Sequence, residues 1–111
     1  MKIPTKNRGG DCYEAAGHYF LDHGAGNSSM HLIHGEVTGQ GPIAGIKFGH
    51  AWIEDGEEVV DLANGKNLRM PKAIYYALGH IEKRIRYDYK TFLEKVLKTG
   101  NWGPWDLHTQ Y

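Results

Sequence analysis

Cys12 is the only cysteine of the chain, and it stands directly after Asp11, where a helix should begin. Downstream runs the segment His50-Ala51-Trp52-Ile53-Glu54-Asp55-Gly56-Glu57-Glu58-Val59-Val60-Asp61. A thiol at a helix start, then a histidine, then an aspartate on a neighbouring strand are the parts of a thiol nucleophile with its base and orienting carboxylate. At the first helical position a sulfur sits at the positive end of the helix dipole, beside unpaired backbone N–H groups that favour its anionic form. His50 would hold the proton and later deliver it to the leaving group. Asp61 would fix the ring tautomer and stabilise the imidazolium. The backbone N–H of Cys12 is one expected oxyanion-hole donor, and Asn7, in the loop before the helix, is the expected side-chain donor. Trp52 and Tyr13 are the expected walls of the substrate groove. Such chemistry calls for no metal and no cofactor.

The Asp55-Gly56 dipeptide turns this order into a geometry. Asp-Gly favours a two-residue type I′ hairpin loop, with Glu57–Ala63 as the returning strand. Glu54 then faces Glu57, and every further pair shares their index sum of 111. His50 falls directly opposite Asp61, and Trp52 opposite Val59. Opposed residues share one face with Cβ atoms about 4.5–5.5 Å apart, within reach of a carboxylate–imidazole hydrogen bond. A one-residue slip would pair His50 with Val60 and send Asp61 to the other face.

The elements that must hold these residues follow from periodicity and breakers. Asp11 as N-cap and Glu14 three residues on open a helix over about 12–23, with Cys12, Ala15, Ala16, Tyr19 and Phe20 at helical spacing and Gly17 as a weak interior point. Gly24 and Gly26 end it. His31–Val37 reads as a first strand, and Ala44–Glu54 as a second whose Ile46, Phe48, His50 and Trp52 share a face. Asn64-Gly65 closes the third. Pro71 to about Leu78 predicts a short helix stopped by Gly79. His80–Tyr87 predicts another strand, and Thr91-Phe92-Leu93-Glu94 a capping box for a helix to Lys98, ended by Gly100. The order predicts an α+β fold with an antiparallel sheet in one domain spanning residues 1–111.

A cysteine at a helix start, a histidine in the context His50-Ala51-Trp52-Ile53-Glu54 and an aspartate on the next strand resemble the papain-like superfamily, most closely its transglutaminase-like branch. The resemblance covers roughly residues 11–63. It implies an N-terminal helix packed on a small antiparallel sheet with two further helices, and acyl transfer through a thioester. Cys12 would be nucleophile, His50 base and acid, Asp61 orienter. The substrate it implies is a peptide or other amide. Two differences stand out: Tyr13 follows the cysteine, and no Gln lies in the upstream loop.

Other residues suggest other chemistry. His31-x-x-His34 with His18 or His23 resembles a metal set, but i and i+3 of a strand point to opposite faces. Glu14 and His18 make an ordinary i,i+4 helix pair. Asn64 could orient His50 in place of Asp61. Lys83-Arg84-Ile85-Arg86, with Tyr87 and Tyr89 beside it, and the tail Trp102-Gly103-Pro104-Trp105 would serve the alternative of a non-catalytic binding module. The balance of 13 basic and 13 acidic residues leaves no field to gather nucleic acid. No apolar run is long enough for a membrane span, and the first residues have no apolar core of a secretory signal. One cysteine cannot form an internal disulfide, which favours a cytoplasmic setting. The reading expected is a small cysteine hydrolase or acyltransferase: a peptidase, amidase, deamidase or transglutaminase-like enzyme.

Overall fold

The computed structural model describes residues 11–39, 44–63, 67–81 and 83–107, without the side chain of Asp11. Asn7, Asn64, Gly65 and the proposed cap of Asp11 lie outside the described residues. The chain runs α1 (Asp11–His23), β1 (Met30–Thr38), β2 (Lys47–Asp55), β3 (Glu58–Asp61), β4 (Leu68–Pro71), α2 (Lys72–Gly79), β5 (Arg84–Tyr87) and α3 (Tyr89–Thr99). The five strands form one antiparallel sheet in the order β4-β3-β2-β1-β5. The fold is therefore α+β, with three helices among the described residues, as the element order predicts.

Strand β1, between β2 and β5, is buried on both faces over most of its length, because both are covered. On one face, Leu32, Ala51, Ile53, Val60 and Tyr87 join Cys12, Tyr13, Ala16 and Phe20 of α1, Phe92 and Val96 of α3, and Trp102. On the other, Ile33, Val37, Trp52 and Val59 are covered by Phe48, Tyr75, Tyr76 and Ile81. The tail thus packs on its own core: Trp102 is fully buried and Trp105 is half-buried.

Gly17 is not merely a weak helical position. A Cβ there would lie 2.3 Å from Cε3 and 2.9 Å from Cζ3 of the Trp102 ring, which is itself fully buried. Helix propensity alone would make Gly17→Ala stabilising by about 1 kcal/mol. Overpacking against a buried ring costs about 1–3 kcal/mol or more. The substitution is therefore expected to lower the urea midpoint; an unchanged or higher midpoint would refute the close packing.

Several boundaries differ from the sequence expectation, among them the strand predicted from His80, which begins only at Arg84 because His80 makes the left-handed turn that ends α2. The second strand begins at Lys47, so Ile46 is left exposed outside it. The helix after Pro71 includes Gly79, and it is His80 that takes the left-handed turn at φ 47°. The last helix starts at Tyr89, because the Asp88 carboxylate accepts from the Thr91 N–H at 2.8 Å. Asp is a stronger N-cap than Thr, so it captures the first turn that Thr91 was expected to open. Strand β4 carries no strand signal: Leu68 and Arg69 are exposed, and Val60 and its neighbours supply the pairing.

Candidate active site

The β2–β3 hairpin does not have the expected register. Asp55 pairs with Glu58, Glu54 with Val59 and Ile53 with Val60, an index sum of 113. The two loop residues are Gly56 and Glu57, and Gly56 takes the positive φ of 62°. Two contacts from elsewhere in the chain move the turn one residue on. On its other side Asp55 is paired with Met30 of β1, which keeps it in the strand. Asp55 and Glu58 then face each other as like charges, which is unfavourable in a cross-strand pair. Arg69 of β4 bridges them, with Nη1 at 3.5 Å from Asp55 and 2.9 Å from Glu58.

His50 and Asp61 are nevertheless brought together. Continuing the register puts Asp61 opposite Trp52, so His50 is its diagonal neighbour and not its direct partner. The index sum has changed by two, and a change of two leaves every side chain on its own face. The diagonal separation of about 7–8 Å is within reach of a ring and a carboxylate. His50 Nε2 lies 3.0 Å from Asp61 Oδ2.

Cys12 completes the chain from the third element. It lies in the first turn of α1 and in the same buried cluster as Ala51, Val60 and Ala63. β3 pairs with β2 only from Ile53 to Asp55, and near the free stretch of β2 the Cys12 side chain hydrogen-bonds the His50 ring.

The electrostatics follow from these contacts. Burial alone would push the imidazole pKa down, but hydrogen bonds to Asp61 and Cys12 and their charges outweigh it and lift His50 to about 9. Burial likewise opposes the ionised Asp61 carboxylate. Its bonds to His50, the Ala63 N–H and Tyr75, with the imidazolium charge, prevail and hold it near about 2. The site therefore keeps an imidazolium and a carboxylate through the neutral range.

Two further groups shape the site without having been expected there. The Tyr75 hydroxyl donates to Asp61 Oδ2 at 2.7 Å. Nothing in the sequence singles out Tyr75 from its neighbour Tyr76, because only the docking of α2 decides which hydroxyl reaches Asp61. Phe48 meets the edge of the His50 ring at 6.3 Å. Trp52 and Tyr13, expected as groove walls, are 0% and 1% exposed and offer no surface to a substrate. Trp52 instead stacks on His50 at 5.9 Å between centroids, and Tyr13 packs edge-on against His34 at 4.8 Å. The even face of β2 is roofed by α2, and that buries the indole.

The remaining sequence candidates are placed as follows. Among the described residues no group of three His, Cys, Asp or Glu side chains is placed to hold a metal ion. His34 is fully buried among Tyr13, Tyr87 and Trp105. Glu14 and His18 stand 3.9 Å apart on the exposed face of α1. In the basic strand, Arg86 pairs with the buried Glu54 at 2.8 Å and Arg84 lies over the Tyr76 ring at 4.5 Å. No helix among the described residues is long and apolar enough to cross a membrane. Comparison with protein-family models, curated proteins and solved structures returned no match, so the assignment of this site rests on its own geometry.

Proposed function

We propose that the chain is a cysteine enzyme of papain-like, transglutaminase-like type that transfers an acyl group from an amide or peptide bond. The observation that carries this reading is the hydrogen-bonded series Cys12–His50–Asp61, assembled from a helix start and two strands. The sulfur would attack the carbonyl carbon, with the Cys12 backbone N–H as one donor to the developing oxyanion. The imidazolium proton of His50 would pass to the departing amine as the C–N bond breaks, leaving a thioester and a neutral ring. Neutral His50 would then take a proton from water or an acceptor amine as that group attacks the thioester. Expulsion of the sulfur restores the starting pair. Hydrolase and transferase outcomes differ only in this second nucleophile.

Alkylation by iodoacetamide across pH 5 to 10 tests the pair directly. The proposed sulfur–imidazolium pair requires the labelling rate to change little across the neutral range and to rise further as the ring loses its proton. An ordinary thiol gains about tenfold per pH unit over that range, because its pKa is about 8.5. A tenfold rise per unit, or no labelling in the folded protein, would sink the reading. Labelling with a panel of acyl electrophiles, with the modified residue located by mass spectrometry, extends the test to substrate class.

A further inference from the structure

We propose that Tyr75 is a positioning residue that acts through Asp61, its hydroxyl drawing charge from the carboxylate oxygen that faces the His50 ring and so limiting how tightly that oxygen holds the ring proton. The inference rests on the acyl-transfer reading above. Asp61 Oδ2 accepts from two donors, His50 Nε2 at 3.0 Å and the Tyr75 hydroxyl at 2.7 Å. Its other oxygen accepts from the Ala63 N–H at 3.0 Å. The Ala63 N–H and the His50 ring hold the two carboxylate oxygens in place. The Tyr75 hydroxyl, a third donor from a separate element, draws charge away from the oxygen that faces the imidazole.

The phenol is built for that task. Its ring packs against Trp52 at 5.4 Å, and Trp52 in turn stacks on His50. Burial and the Asp61 charge push the Tyr75 hydroxyl well above the ordinary phenol range, so it stays a donor at every working pH. Helix α2 has no fully buried residue, and its polar ties to the sheet include Tyr75 to Asp61, Tyr76 to Glu54 and the Trp52 indole N–H to the Tyr76 hydroxyl. Around the His50 ring stand Cys12 from α1, Asp61 from β3 and Tyr75 from α2; Tyr76 and Arg86 face Glu54 instead.

Tyr75→Phe keeps the ring against Trp52 and removes only the hydroxyl. The test is a titration of the His50 ring nitrogens by 15N NMR in the full chain, beside the iodoacetamide profile. Without the second donor, Oδ2 presents more charge to the imidazolium. The His50 midpoint is then expected to rise by about 0.5–1 pH unit, and the upper inflection of the labelling profile to move with it. A midpoint within about 0.2 unit of wild type, or one that falls, would overturn the role of Tyr75, since a purely structural ring contact leaves it unmoved and a loosened carboxylate lowers it. Wild-type labelling separates the two claims. Constant neutral-range labelling, together with a His50 midpoint unmoved in Tyr75→Phe, removes the role of Tyr75 alone. Wild-type labelling that follows an ordinary thiol removes the acyl-transfer reading. If Tyr75→Phe does not fold, substitution of the tyrosines by 3-fluorotyrosine strengthens the donor. The midpoint should then fall, and no change would overturn the inference.

Discussion

On the proposed acyl-transfer reading, His50→Ala is expected to lower kcat/KM on an amide substrate by about 10³-fold or more, and Cys12→Ala to abolish turnover. A factor of 10³ corresponds to about 4 kcal/mol of transition-state stabilisation, the size expected when both the proton donor and the partner of the sulfur are lost. The double variant with Asp61→Asn should be no worse than His50→Ala alone, because Asp61 acts through the ring. Asp61→Asn by itself should cost less and should change the pH profile. The Asp61 charge and hydrogen bond hold the His50 proton up to about 9, so without them the alkaline limb should fall toward the ordinary histidine value. Additive losses in the double variant, or an alkaline limb unmoved by Asp61→Asn, would show that the three groups do not work as a unit.

The same pair has a signature in stability. The folded pKa of His50 lies above the unfolded value of 6.5, so its contribution is fully present below about 6.5 and is lost as pH rises through about 9. Asp61 is depressed from 3.8, so its share is present above 3.8 and disappears as pH falls through about 2. Both statements describe one interaction and do not add.

Acid should destabilise the fold mainly through a different histidine, and His34→Leu is expected to relieve it. His34 is fully buried, and among the described residues neither ring nitrogen has a hydrogen-bond partner. Burial lowers its pKa from 6.5 to about 3, against an opposing pull from Asp106. Here the unfolded chain binds the proton more readily, so stability falls as pH drops from 6.5 toward 3. With those two values the loss reaches about 3 kcal/mol by pH 4. Leucine has a similar volume and no polar atoms to leave unpaired, so stability at pH 7 should be equal or somewhat higher. Urea unfolding at pH 4 and pH 7 measures both. Equal losses between the two pH values in wild type and His34→Leu would show that the ring is not the acid-sensitive group.

The buried imidazole shows what the sequence could and could not reveal. His34 sits in a strand whose neighbours alternate no more clearly than those of His31, and the aromatic groups enclosing it come from residues 13, 87 and 105. No local pattern foretells an enclosure made from three distant segments. Tyr75 is the same case, as are β4 and the Arg69 bridge.

Local chemistry was legible where the physics is local. The helix beginning near Cys12, the proline start of α2 and the Gly100 end of α3 follow from conformational preferences of single residues. The shared face of His50 and Asp61 was also in the sequence, because side chains alternate with period two and a turn near Asp55-Gly56 fixes the parity. Register was not. Met30 holds Asp55 in β2 and Arg69 bridges Asp55 to Glu58, so the turn moves by one residue and the direct pair becomes a diagonal one. Parity survives such a shift and register does not, since pairing is settled by strands and charges far away in the chain. The meeting of Cys12 with His50 belongs to the tertiary structure alone. It depends on where β3 stops and where α1 docks, and neither is encoded in the residues that meet.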